Sequence, residues 1–126
     1  MTAKQRPREV RPSAPIKNPA RLTAIIDAIS KLDRDDLEKY GAWSDLDALS
    51  TQTSFEGIEP HPDGIFKTNK KHFDAIATVY VTLNYGGKRD RTSMSDSYPA
   101  RVTGSIIGKN NVTIDSMTID TSSFYQ

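Results

Sequence analysis

The chain has 126 residues, 36% apolar and 26% charged, with no Cys, one Trp and a formal net charge of +1. That length suits one ordinary domain but not two with separate cores. The lack of Cys excludes a disulfide scaffold, a Cys-based zinc site and a cysteine nucleophile; His61 and His72 fall in no metal-ligand spacing, and no apolar run approaches the roughly 18 to 20 residues that a membrane helix needs.

The near-zero charge is the sum of three unlike blocks. Residues 1–21 sum to +5, residues 22–63 to −7 and residues 64–126 to +3. Segregation of this kind implies separate surfaces with separate preferences.

Residues 1–17 read as a disordered basic arm. Pro7, Pro12 and Pro15 block helix, and there is too little apolar surface to offset the entropy of ordering. The arm lacks the apolar core of a secretory signal, so a cytoplasmic protein is expected. Pro12 to Lys17 fits PxxP followed by a basic residue, a spacing suited to polyproline II docking. It also resembles the late-domain tetrapeptide that recruits membrane-scission machinery. Cations on a flexible arm are equally the usual electrostatic tether to phosphates.

One domain is expected over residues 18–126, helical to residue 50 and β-rich from 51. Asn18-Pro19 is a helix start, because Asn caps free amides and Pro gives up a donor that has no partner in the first turn. Leu22, Ile25, Ile26, Ile29 and Leu32 then recur at helical spacing. Asp33 caps a second short helix with Asp35, Asp36 and Glu38 near its positive end and Gly41 as a left-handed stop. Ser44 is placed as the cap of a third turn. The carboxylates here lack the Gly turn and the Glu of a calcium loop, so capping and a solvated face explain them and no metal site is expected.

Beyond Ser50 the period changes from 3.6 to 2. Residues 73–85 are the clearest strand, with Phe73, Ala75, Ala77, Val79, Val81, Leu83 and Tyr85 on one face and Thr78, Tyr80, Thr82 and Asn84 on the other. Strands follow at 98–107 and 112–119. The switch of apolar parity between Ile114 and Met117 predicts a bulge near Ser116. Two further strands, 53–59 and 65–69, are expected to flank a turn at residues 60–64. Gly108 to Asn111 reads as a hairpin turn, not as the GxxG loop of a KH domain. The predicted class is α+β: a small antiparallel sheet of about five strands with the amphipathic helix and short helices packed on one face.

No catalytic constellation emerges. Residues 104–110 are one residue short of a phosphate loop and precede a strand. No carboxylate is followed two residues later by Lys, as in many metal-dependent nucleases, and neither histidine has a nucleophile elbow. His61-Pro62-Asp63 joins strands where the chaperone J-domain tripeptide joins helices. His72 reads as an exposed strand-entry residue. The chain is therefore expected to be no enzyme and to need no cofactor.

Thr78-Val79-Tyr80-Val81-Thr82-Leu83-Asn84-Tyr85-Gly86, Ser95-Asp96-Ser97-Tyr98-Pro99 and Asp120-Thr121-Ser122-Ser123-Phe124-Tyr125 together resemble the C-terminal β-rich accessory domain of predicted nucleases associated with prokaryotic PIWI proteins. The resemblance covers about residues 73–126. It implies an accessory or targeting module of a prokaryotic or phage defence-type system, not the catalytic part.

Two functions are then expected. The first is a protein-interaction module binding a protein partner or a second copy through Asp35, Asp36 and Glu38, or by strand addition at residues 65–69 or at Phe124-Tyr125. The alternative is nucleic-acid binding by Arg6, Arg8, Arg11 and Lys17 of the arm with Lys67, Lys70, Lys71, Lys88, Arg89 and Arg91 of the sheet.

Overall fold

The computed structural model describes residues 14–126. Strand β1 (Ala14–Pro15) is followed by helices α1 (Pro19–Ser30), α2 (Arg34–Lys39) and α3 (Trp43–Asp47). Strands β2 (Gln52–Lys67), β3 (His72–Tyr85), β4 (Thr92–Ile107) and β5 (Asn111–Ile119) and a 3-10 turn (Ser122–Tyr125) complete the chain. The sheet is an antiparallel meander in the order β1-β2-β3-β4-β5, so the α+β architecture of five strands with short helices is as expected.

Local chemistry sets the helix boundaries. Asn18 Oδ1 accepts from the Arg21 amide at 3.2 Å, and Pro19 takes the first helical position. Asp33 and Asp36 form a reciprocal capping box at α2, each carboxylate accepting from the other's amide at 3.0 Å. Gly41 stops α2 at φ 77°. Ser44 is not a cap: α3 starts at Trp43 behind Ala42, with no side-chain cap, and the Ser44 carbonyl accepts from Ala48 inside the helical hydrogen-bond pattern.

One face of the sheet and the helices share the core. Ile25 and Ile29 of α1, Leu37 of α2 and Trp43 and Leu46 of α3 are buried with Phe73, Ala75, Ala77, Val79, Val81 and Leu83 of β3. Helix α1 touches both β2 and β5. Those strands are three spacings apart, about 14 Å, close to a helix diameter, so one helix covers the middle of the sheet. Tyr40 Oη donates to the Ile114 carbonyl at 3.1 Å and Tyr85 Oη to the Leu49 carbonyl at 2.8 Å, tying the short helices to β5 and β3.

Strands β2 to β4 differ from expectation in two places. The expected turn at residues 60–64 is an excursion within one strand. Pro60 pairs with Ala77 and Ile65 with Ala75, so residues 61–64 loop out opposite Ile76 while both flanks stay on β3. Strand β4 begins at Thr92, six residues before the expected start, because Thr92 to Ser97 pair with Tyr85 back to Tyr80. The bulge in β5 is present: Thr103 pairs with Ser116 and Gly104 with Ile114, leaving Asp115 as the extra residue. The turn at Gly108 to Asn110 has φ of 61° and 67° at those two residues, as a tight hairpin requires.

Most of the expected arm, including Arg6, Arg8 and Arg11, lies outside the described residues. Its end does not. Ala14 pairs with Lys67, Pro15 with Phe66, and the Ile16 amide donates to the Ile65 carbonyl at 3.1 Å. Two residues of the PxxP pattern are thereby committed to the sheet.

Candidate functional site

The sheet's second face is open and polar. It carries Asp74, Thr78, Tyr80 and Thr82 of β3, Arg101 and Thr103 of β4, and Glu59 of β2, with Ile76 the exposed apolar residue among them. Side-chain hydrogen bonds bridge neighbouring strands across this face. Tyr80 Oη donates to Glu59 at 2.8 Å, Thr82 Oγ1 to Glu56 at 2.8 Å, and Ser105 Oγ to Asp115 at 2.6 Å. His61, on the looped-out segment, meets Thr78 Oγ1 at 2.7 Å. Arg101 grips Asp74 with two nitrogens, which holds the guanidinium above its ordinary pKa. The Glu59 hydrogen bond likewise raises the Tyr80 phenol, whereas hydrogen bonds from Ser122 lower Asp120. Beside Arg101, a hollow of about 470 Å³ has Phe66 and Ile76 in its wall. These carboxylates are held apart by their own donors. Among the described residues, no three His, Cys, Asp or Glu side chains are close enough together to hold a metal ion.

The opposite character appears at one end of the sheet, around the β2–β3 hairpin. Here Lys67 at the end of β2 and Lys70 and Lys71 in the hairpin meet Lys17 and Arg21 from the start of α1. Two adjoining hollows of about 430 and 550 Å³ share Arg21, Lys70, His72 and Ile106 in their walls. The backbone fixes this end: the Ile106 amide donates to the Lys71 carbonyl at 2.6 Å and the Thr68 amide to the His72 carbonyl at 3.0 Å. Among the described residues the ion pair is Arg101–Asp74, so none of these five cations is within ion-pair reach of a described carboxylate.

The expected nucleic-acid residues are therefore divided. Lys17, Lys70 and Lys71 converge with Lys67, whereas Lys88, Arg89 and Arg91 follow the far end of β3. At about 3.3 Å per residue, that 14-residue strand puts roughly 45 Å between the groups. Arg21 and His72 belong to the basic end, although sequence reading assigned them no site. The only hint of Arg21 is its place in the first turn of α1, three residues after the cap.

The expected partner-binding residues do not converge. Asp35 and Glu38 are exposed on α2, Asp36 is committed to the capping box, and Phe124 packs against the core with Tyr125 at 5.2 Å, edge to face. Phe124 and Tyr125 form a 3-10 turn, so strand addition there has no strand to extend. The β2 edge at residues 65–67 is already filled by β1. Among the described residues, no helix is long and apolar enough to cross a membrane.

Comparison with curated proteins and with solved structures gives no match. A family described as predicted pPIWI-associating nuclease matches residues 38–125, from the end of α2 through all of β2 to β5 and nearly to the C-terminus. That span extends well upstream of the stretch that carries the resemblance in sequence, and it includes the basic hairpin. The chain belongs to the predicted pPIWI-associating nuclease family.

Proposed function

We propose that the chain is a non-catalytic, nucleic-acid-binding accessory module of a defence-type system built around a prokaryotic PIWI protein. It grips the phosphodiester backbone with the basic end of its sheet. The observation that carries this reading is the meeting of five cations from three separate elements around two adjoining hollows. Like charges repel, and keeping them together costs stability unless a polyanion neutralises them. The family's printed description as a nuclease associated with pPIWI agrees with a nucleic-acid ligand. The non-catalytic part of the reading is supported by the open-face carboxylates, each of which is occupied by an arginine, tyrosine, threonine or serine donor.

Protein partnership is a weaker reading of the same fold: Asp36 is taken up by its capping box, Phe66 and Lys67 are paired with β1, and Phe124 and Tyr125 lie in a 3-10 turn. The test is binding of a fluorescent single-stranded oligonucleotide at a series of salt concentrations. Five phosphate contacts predict a log–log slope of about −3 to −4. Incubation with magnesium or manganese is expected to leave the oligonucleotide intact. Absence of binding at low salt would sink the nucleic-acid reading, and metal-dependent cleavage would sink the non-catalytic one.

A further inference from the structure

We propose that His72 is a phosphate contact of the basic end and makes that contact only as the imidazolium, so that binding a strand takes up a proton. This rests on the nucleic-acid reading above and adds to it a contact residue and a chemical state. Asn69 Oδ1 accepts from the Lys71 amide at 2.9 Å, the His72 amide at 3.1 Å and the His72 ring at Nδ1, 2.8 Å away. The two backbone donors fix which end of the Asn69 amide is oxygen. An amide oxygen only accepts, so Nδ1 carries the hydrogen. In the neutral ring Nε2 is then a bare lone pair, which repels a phosphate oxygen. Protonation at Nε2 converts it into a charged donor.

The surroundings suit an anion. His72 lines both basic hollows, facing Arg21 from α1, Lys17 just before it, Lys67 from β2, and Lys70 and Lys71 from the hairpin. On its other side it shares a shallow hollow with Asp74 and Asp115, which are engaged by Arg101 and Ser105. A phosphodiester seated among the cations brings the negative charge with which the imidazolium pairs. Among the charged and ionisable side chains around these hollows, the imidazole is the one whose Nε2 changes from acceptor to donor with its protonation state.

The test uses the full chain and a short fluorescent oligothymidylate, whose base has no titrating group in that interval. Lowering the pH from about 8 to 5.5 is expected to raise affinity about ten-fold, with a steepest uptake of about half a proton per strand bound. His72→Gln is expected to bind at the high-pH level throughout. His72→Lys supplies a fixed cation and is expected to stay at the low-pH level throughout. His61→Gln, altering the histidine of the open face, is expected to keep the wild-type response. The inference is overturned if His72→Gln retains the rise, or if the wild type binds with no pH dependence. Failure of the wild type to bind at any pH overturns the nucleic-acid reading along with it.

Discussion

Replacing Gly104 by alanine is expected to destabilise the protein by about 2–3 kcal/mol, lowering the melting temperature by roughly 10 °C. Gly104 is buried in β4, paired with Phe73 on one side and Ile114 on the other. A methyl group there would lie 2.4 Å from Phe73 Cζ and 2.5 Å from the Thr113 carbonyl oxygen. Neither neighbour yields easily: the Phe73 ring is 1% exposed in the core, and Thr113 is held in register beside the Asp115 bulge. Gly87 supplies the control. It lies beyond β3 with nothing within 4 Å of a built Cβ, so Gly87→Ala is expected to change stability by less than about 0.5 kcal/mol. Thermal unfolding followed by circular dichroism decides the matter, and equal melting temperatures for the two variants would contradict the packing account.

Reversing the charge of the hairpin, Lys70→Glu with Lys71→Glu, is expected to weaken oligonucleotide binding about 100-fold at low salt and to flatten the salt slope by about 1.4. Both side chains are on the exposed hairpin, so the fold is expected to persist. The matched reversal of Lys88 and Arg89 changes the same formal charge at the other end of β3. At about 0.1 M salt the Debye length is about 10 Å, far shorter than that separation, so this variant is expected to bind within about two-fold of the wild type. Anisotropy titrations of the two variants side by side separate a local site from a simple dependence on net charge.

Much of the fold was legible in the sequence because one face of the sheet is buried and the other is not. Strand β3 alternates from Phe73 to Leu83 with Ile76 the one aliphatic residue out of phase, and the structure buries the in-phase set and leaves Ile76 exposed. The parity switch between Ile114 and Met117 located the β5 bulge within a residue. The early part of β4 was illegible because Thr92 to Ser97 are mostly exposed and polar on both parities, so the ladder with β3, not burial, makes them a strand. Pro60, Pro62 and Gly64 punctuate β2 as a turn would, and only the register on β3 shows that the chain resumes the same strand. The basic end was illegible as a unit. Its parts were visible as separate charges, but bringing Lys17 to Lys70 depends on β1 pairing with a strand some fifty residues later.

The central claim is that nucleic acid meets this protein at the β2–β3 hairpin and the start of α1. Titrating a short oligothymidylate into isotopically labelled protein and following backbone amide chemical shifts tests it most directly. The account predicts that the largest changes fall at Arg21, Lys67 to His72 and Ser105 to Gly108, with Lys88 to Arg91 and α2 unmoved. Largest changes at Lys88 to Arg91 or across the open face around Tyr80 and Arg101 would contradict it.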